Sequence, residues 1–176
     1  MCMVGCLYLI ILMLIPGQEV IKLKIARNLK DNGLQVQPGG VDFTVKKIGS
    51  WRNAGLVDFD NTNRTIPEFS EIPHSNFMYL KPGSYMVEFN ETVDLPADVS
   101  AFVLPRSSVL RSGAVVQAGL LDPGYSGAVG AILTVSNLNG LILGENARIA
   151  QWVFERLSKK ASKVYRGKYQ KAKNIF

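Results

Sequence analysis

The sequence predicts an all-β fold, a sandwich or barrel of short strands with one or two short helices. Turn-forming pairs recur at short intervals in the second half, as at Pro82-Gly83, Pro123-Gly124 and Asn139-Gly140, with apolar segments between them. Such punctuation is typical of β-sandwiches and barrels. A chain of 176 residues with 47% hydrophobic residues can fill one core, so we expect a single domain at residues 17–157.

The first third of the chain contains several short predicted elements. Residues 18–29 fit a short helix or an alternating strand equally well, and residues 34–37 alternate as a strand. A further strand at residues 41–45 places its apolar side chains on one face and Asp42 with Thr44 on the other. Asp42 is therefore expected either to face solvent or to contact a metal or hydroxyl through water.

The remaining elements follow a regular order. Residues 49–76 are polar and rich in turns, with a short strand predicted at residues 56–59. Strands are then predicted at residues 85–90, 99–104, 128–135 and 141–143. Residues 147–157 also fit a helical period, but Gly144-Glu145-Asn146 before them is typical of a hairpin turn, so we predict a strand.

The net charge of +6 belongs to the end of the chain. From Arg156 onward there are eight Lys and Arg and no acid, so the preceding body is slightly acidic. We therefore predict a basic tail at residues 158–176, which is either solvated or folds over a phosphate ligand, rather than a nucleic-acid-binding protein. Only Cys2 and Cys6 are present, which fits a reducing compartment and a cytoplasmic location.

Residues 1–16 form an apolar extension without a charged side chain. It is shorter than the roughly 20 residues that span a bilayer. It also lacks the basic region and cleavage site of a secretory signal. We expect a buried or interfacial strand here, and no membrane partner.

The segment PRSSVLRSG at residues 105–113 is the candidate anion-binding motif. Arg106 and Arg111 flank Ser107 and Ser108, so two guanidiniums and two hydroxyls could bind several oxygens of one anion. We expect the serines to cap a short helix whose N–H groups face the same anion. An ordinary helix cap with surface arginines is the alternative, but two arginines exceed what a cap needs.

Four further side chains complete the candidate site. Asp122, in an Asp-Pro-Gly turn, is a candidate general base, although such turns are common without any catalytic role. Tyr125 could pack on a sugar or base, or into the core. Gln151 can donate and accept hydrogen bonds at a phosphate or ribose, whereas Arg148 would face the other side of the strand and brace a subunit contact.

The tail contains the segment YRGKYQ at residues 165–170. It combines a glycine with cations and two aromatic rings. This composition predicts a lid that is mobile when the site is empty and ordered when a phosphate and a base are bound.

These motifs together resemble the dUTP diphosphatase and dCTP deaminase superfamily, most closely its archaeal-type dUTPase branch. The resemblance runs in order through QPGGVDFTV, KPGSYMVEFNETVDLP, PRSSVLRSG, AGLLDPGYSG, RIAQWVF and GKYQ. It implies a distorted β-barrel of jelly-roll type, a β-clip. It further implies homotrimers with active sites at the subunit interfaces.

The resemblance also assigns roles to individual residues. The residues matched to triphosphate binding are Arg106, Ser107, Ser108, Arg111 and Gln151. The hairpin from Gly119 to Tyr125 would read uracil through its backbone, with Tyr125 against the deoxyribose. Asp122 matches the water-activating aspartate, and Asp42 matches an acid that contacts magnesium through water. The residues matched to the closing tail are Lys168, Tyr169 and Gln170.

The implied activity is hydrolysis of dUTP to dUMP and pyrophosphate by attack of water at the α-phosphorus, with Mg²⁺, which keeps uracil out of DNA. The alternatives are a dCTP deaminase or bifunctional enzyme, and a non-catalytic nucleotide-binding trimer. Deaminases of this family carry a glutamate on the strand after the hairpin, whereas this chain has no acid between Gly127 and Glu145. Shortly before the aspartate, deaminases of this family have an Ala-His pair, whereas this chain has Ala118-Gly119. Both differences favour hydrolysis.

Overall fold

The computed structural model describes residues 13–73 and 76–176, so most of the predicted N-terminal extension lies outside the described residues. The strands are β1 (Met13–Leu14), β2 (Ala26–Arg27), β3 (Val36–Gln37), β4 (Gly40–Trp51), β5 (Phe69–Glu71), β6 (Phe77–Leu80), β7 (Gly83–Asp94), β8 (Val99–Pro105), β9 (Ala114–Gln117), β10 (Ser126–Val135), β11 (Leu141–Gly144) and β12 (Arg148–Arg156). The helices are α1 (Gly17–Lys22), α2 (Asn32–Gln35) and α3 (Ser107–Arg111).

The strands form one curled antiparallel sheet and a separate ribbon. The main path of the sheet runs β1-β12-β4-β7-β10-β9, and β2, β3, β5 and β8 extend it by pairing with β7, β4, β4 and β12. The strands β6 and β11 form the ribbon. The curled sheet makes a distorted half-barrel, so the all-β prediction is confirmed.

The inside of this half-barrel is filled by large aromatic and branched side chains. Phe43 on β4, Phe89 on β7 and Trp152 on β12 are almost fully buried and pack together, with ring centroids 5.8 to 6.4 Å apart. Edge-on and tilted contacts of this kind add to the free energy gained by burying the rings. The three central strands are therefore fixed to one another from inside the core.

The strand predicted at residues 147–157 is confirmed, because β12 pairs with both β4 and β8. The strand predicted at residues 34–37 is wrong in its first half. Asn32–Gln35 form one helical turn, in which the side chain of Asp31 accepts a hydrogen bond from the backbone N–H of Leu34. Asp31 is thus an N-cap, a local bond that outweighs the weak alternating pattern.

The N-terminal described residues lie along the sheet. Met13 and Leu14 pair with Arg156 and Glu155 of β12, and Ile15 is buried in the core. The long polar segment between β4 and β5 carries a single bridge, Leu56 to Thr65. Within the described ranges, no helix has the length and apolar character needed to cross a bilayer.

Candidate active site

The anion-binding motif folds as the short helix α3 between β8 and β9. Arg106 is the N-cap residue and its side chain makes no capping hydrogen bond. The helix ends at Arg111 with Ser112 as its C-cap, and Gly113 follows with a φ of 75°, which suits the residue after a helix cap. The prediction that the serines cap the helix is therefore wrong: Ser107 and Ser108 lie inside its first turn and are exposed, which leaves both hydroxyls accessible to a ligand.

Arg106 is held by a buried carboxylate. Its Nε lies 2.8 Å from Oδ2 of Asp42, and Nη1 of Arg148 lies 3.3 Å from the same oxygen. Asp42 is only 2% exposed. Burial raises the pKa of its carboxyl, and the two guanidiniums oppose that rise. Asp42 therefore fixes the directions of two arginines beside the central strands β4 and β12.

One of the two alternatives for Asp42 and the prediction for Arg148 are wrong. Asp42 does not face solvent, because β4 is covered on both faces along this stretch. Arg148 and Gln151 do not point to opposite sides of β12. A β-bulge between Arg148 and Ala150 shifts the register, so Arg148 reaches Asp42 while Gln151 is directly opposite Asp42 on β4. Gln151 is half-buried at this position.

A second buried acid, which sequence reasoning missed, supports the same region. Glu91 on β7 is fully buried, and its oxygens accept hydrogen bonds from the Gln35 amide at 2.6 Å and from the N–H and hydroxyl of Thr44 at 2.7 Å. Burial raises the pKa of Glu91, and these donors oppose that rise. The Gln35 amide also donates to the carbonyl of Asp42. Glu91 thus ties β7 and α2 to the strand that carries Asp42.

Asp122 lies in the connection between β9 and β10, which is firmly bonded to the sheet. Leu121 and Ala101 exchange both backbone hydrogen bonds, and Gly124 N–H donates to Leu95 at 3.1 Å. Pro123 and Gly124 form a type II turn, with the N–H of Tyr125 bonded to the carbonyl of Asp122 and φ of Gly124 at 81°. The exposed Asp122 side chain is therefore presented by a rigid backbone.

Tyr125 is packed rather than free. Its hydroxyl donates to the carbonyl of Ala128 at 2.5 Å, and its ring meets Tyr165 of the tail edge-on, with centroids 5.3 Å apart. Burial raises the pKa of the Tyr125 phenol. One edge of the ring still lines the adjoining cavity.

That cavity, of about 470 Å³, is the candidate nucleoside half of the site. The hairpin residues that line it are Gly119, Leu120, Leu121, Asp122 and Tyr125. The tail also lines the cavity, through Tyr165 and Tyr169. The volume and the mixture of aromatic walls with one carboxylate suit a nucleoside.

The candidate phosphate half is a different cleft, of about 440 Å³. Arg106, Ser108 and Arg148 line it. Among the described lining residues, neither cavity contains side chains of the other half. Asp122 and the arginine–serine motif are therefore not brought together around one cavity of a single subunit.

The tail lies against the hairpin of its own chain. The Gln170 amide accepts from the N–H of Ser126 at 3.0 Å and donates to the carbonyl of Gly124 at 2.8 Å. Lys168 and Tyr169 are exposed, and Tyr169 lines the nucleoside cavity. Arg111, at the end of α3, is also exposed.

The described residues contain no group of three or more His, Cys, Asp or Glu side chains that could hold a metal ion. The acid matched to a metal role, Asp42, uses Oδ2 for two arginines. The carboxylate of Asp42 is thus already engaged by two guanidiniums. The strand β10 carries no acid, and Thr134 at its end lies 3.1 Å from the hydroxyl of Ser84.

Comparison with known proteins identifies the family of the chain. The family model described as "dCTP deaminase-like" matches residues 15–157. An Archaeoglobus fulgidus protein named "Probable deoxyuridine 5′-triphosphate nucleotidohydrolase" is 39% identical over 92% of this chain and 97% of its own length. The deoxyuridine 5′-triphosphate nucleotidohydrolase of Methanocaldococcus jannaschii is 34% identical over 86% of this chain and 98% of its own length.

Among solved structures, the 2′-deoxycytidine 5′-triphosphate deaminase from Agrobacterium tumefaciens aligns with a TM-score of 0.65 at 20% identity, over 82% of this chain and 48% of that chain. At that identity the similarity supports the fold alone. The family match and the two archaeal relatives each span most of the sequence. The chain therefore belongs to the dCTP deaminase-like family, in the branch of the archaeal deoxyuridine 5′-triphosphate nucleotidohydrolases.

Proposed function

We propose that the protein hydrolyses dUTP to dUMP and pyrophosphate in a homotrimer whose active sites each combine the nucleoside half of one subunit with the phosphate half of a neighbour. The observation that carries this proposal is the separation of the two halves within one chain: Asp122 lines one cavity, and Arg106 with Ser108 lines another. A site built between subunits brings both groups to one substrate.

The phosphate half binds the triphosphate through charge and hydroxyl groups. Arg106, fixed by Asp42, offers a guanidinium in a set direction, and the exposed hydroxyls of Ser107 and Ser108 donate to phosphate oxygens. Arg111 adds a second positive charge at the end of α3. Gln151, opposite Asp42, completes the set as a neutral donor.

The nucleoside half selects the base and sugar. The backbone from Gly119 to Tyr125 bonds the uracil edge, and the Tyr125 ring packs against the deoxyribose. Asp122 then directs a water molecule at the α-phosphorus as the general base. Magnesium, when bound with the triphosphate, neutralises its charge and fixes its geometry. Lys168, Tyr169 and Gln170 close over the bound nucleotide.

Deamination is not supported by the residues of this site. The strand after the hairpin has Thr134 bonded to Ser84 and no carboxylate to transfer protons at the pyrimidine ring. We therefore propose hydrolysis without deamination. The near absence of cysteine is consistent with activity in the cytoplasm.

Replacing the proposed general base tests the mechanism. Asp122→Asn should keep dUTP binding and lower kcat about 100- to 10,000-fold, because the carboxylate no longer activates water. Pyrophosphate release from dUTP, dCTP, dTTP and UTP, with and without Mg²⁺, measures the activity. Near-normal turnover of the variant would remove Asp122 from this role.

Two further outcomes would identify the alternative functions. Ammonia release from dCTP would identify a deaminase, and tight dUTP binding by the wild type without release of pyrophosphate would identify a non-catalytic trimer.

A further inference from the structure

Residues 172–176, which follow the closing segment, lie across the barrel of their own chain. Ala128 N–H donates to the carbonyl of Ala172 at 2.8 Å, and Ile175 N–H donates to Oε2 of Glu88 at 2.9 Å. The ring of Phe176 packs on Phe69, with centroids 5.2 Å apart. These residues therefore contact β10, β7 and β5 in succession, the first two through hydrogen bonds and the third through ring packing. We refer to residues 172–176 as the anchor.

The barrel beneath the anchor has glycines where a side chain would collide with it. A Cβ on Gly127 would lie 2.9 Å from backbone atoms of Ala172. A Cβ on Gly130 would lie 2.9 Å from the carbonyl oxygen of Val87 on β7 and 3.0 Å from both Cγ atoms of Ile175. Contacts this close are tighter than nearly all real Cβ contacts. At Gly127 the anchor itself occupies the space of a side chain, which an incidental surface contact would not require, whereas at Gly130 the neighbouring strand β7 also excludes a side chain.

Glu88 provides the anchor with a polar receptor. Its side chain is fully buried, a state that an isolated carboxylate rarely tolerates. One oxygen pairs with Lys46 at 2.6 Å and the other accepts from Ile175, while the same Lys46 ammonium lies 3.3 Å from Asn174. The bond from Ile175 therefore satisfies one of the two carboxylate oxygens.

We propose that the closing segment acts on the hairpin of its own subunit, and that the anchor seats it there. The anchor fixes the chain directly after Gln170, whose amide bonds Gly124 and Ser126 on either side of Tyr125. Gln170 is thus a positioning residue for the turn that presents Asp122. This inference rests on the proposed function for its catalytic consequence, but the direction of closure is tested independently of activity.

A disulfide between β10 and the anchor tests the direction of closure. In a Cys2→Ser, Cys6→Ser background, Gly130→Cys with Ile175→Cys brings the two side chains into contact, since a Cβ at position 130 would lie 3.0 Å from both Cγ atoms of Ile175. We expect oxidation of the assembled protein to give a monomer band with an internal disulfide on a non-reducing gel. Covalent dimers or trimers would overturn the proposal, because they require the anchor to reach a neighbouring subunit.

A matched control and a refolding check accompany this test. Gly39→Cys with Ile175→Cys should form no internal disulfide, because a Cβ on Gly39 meets nothing within 4 Å. Cysteine pairs that lower the yield of folded trimer are assessed by their circular dichroism before oxidation. The mixing experiment described next gives an answer that depends on neither cysteine.

Mixed trimers test the same proposal through activity. Asp122→Asn subunits are mixed with subunits lacking residues 158–176, and native mass spectrometry verifies the exchange. If the tail closes on its own subunit, the mixture should show no activity beyond the sum of the two variants. The reason is that every subunit with an intact Asp122 is one that lacks residues 158–176. Closure from a neighbour predicts recovery of about a quarter of the wild-type rate in an equal mixture, and that recovery would overturn the proposal.

A second mixture separates this inference from the proposed function. Asp122→Asn mixed with Ser107→Ala should recover about a quarter of the wild-type activity if each site is shared between subunits. Failure here, with verified exchange, would contradict the shared site but not the direction of closure, which the disulfide reports by itself. Recovery of activity in this mixture, together with no recovery in the first mixture, supports both the shared site and closure of the tail on its own subunit.

Discussion

Asp42 is a strand residue whose buried carboxylate binds Arg106 and Arg148 at one oxygen. Removing its charge leaves Arg106 without the partner that orients it. We expect Asp42→Asn to raise KM for dUTP about tenfold, equivalent to about 1.4 kcal/mol, with a smaller effect on kcat. Steady-state kinetics at saturating Mg²⁺ measure this change.

Glu19→Gln is the control for Asp42→Asn. Glu19 pairs with Lys22 in an exposed contact within α1, and neither residue lines either candidate cavity, so this change should leave KM unaltered. An unchanged KM in Asp42→Asn, with a higher Mg²⁺ requirement instead, would contradict the positioning role. That result would support the water-mediated metal contact implied by the resemblance.

Glu91 makes stability depend on pH. Because burial raises its pKa above the ordinary 4.5, the folded protein keeps a proton that the unfolded chain has released. The contribution of Glu91 to stability is thus fully present below about pH 4.5 and is lost as pH rises through the raised pKa. Glu91→Gln removes this titration. The free energy of unfolding of the wild type, minus that of Glu91→Gln, should decrease as the pH rises. Urea unfolding at a series of pH values measures this difference. A difference that is constant or increases with pH would contradict the role of Glu91.

At the scale of residues, the sequence was informative where function resides in one local motif. Arg106, Ser107 and Ser108 could be chosen as ligands for an anion because they are adjacent. The Asp42–Arg148 pair could not, since 106 positions separate the two residues and a bulge sets the register. Glu91 was missed because an acid in a strand ordinarily faces solvent, and only the fold supplies its buried donors.

The element that carries the anion-binding motif depends on one glycine at its end. Gly113 has φ of 75°, and a Cβ there would lie 2.8 Å from the Cβ of Asn137. We expect Gly113→Ala to lower the free energy of unfolding by about 1–3 kcal/mol, since alanine disfavours this backbone conformation and also collides with Asn137. Urea unfolding tests this.

Gly39→Ala is the corresponding control. Gly39 precedes β4, and a Cβ there meets nothing within 4 Å. The change should therefore alter the free energy of unfolding by less than about 0.5 kcal/mol. Equal effects of the two substitutions would show that Gly113 is not required by the end of α3.

At the scale of elements, the strands bounded by clear turn sequences were the ones that could be predicted. The Pro-Gly pairs bounded the later strands well, because proline and glycine restrict the backbone regardless of tertiary context. The helical turn Asn32–Gln35 was missed because its four residues carry no periodic signal, and the capping bond from Asp31 decides the local structure. The bulges on β10 and β12 arise from pairing and leave no local trace.

At the scale of the whole molecule, the proposed site shared between subunits predicts that activity depends on assembly. Sedimentation equilibrium should give a mass roughly three times the 19.4 kDa of one chain. Specific activity should fall on dilution, at concentrations where the assembly dissociates. A monomer with full activity would contradict the shared site. The separation of the two half-sites could not be predicted from the sequence, since it depends on which cavity each motif lines.

The packing of Phe176 on Phe69 has a practical consequence. Phe69 also contacts Trp51, which is partly exposed, whereas Trp152 is completely enclosed. The chain thus contains two indoles in contrasting surroundings: Trp152 emits from an apolar interior, and Trp51 sits one ring away from the seat of the anchor. Fluorescence of a Trp152→Phe protein would follow docking of the anchor in real time without any attached dye.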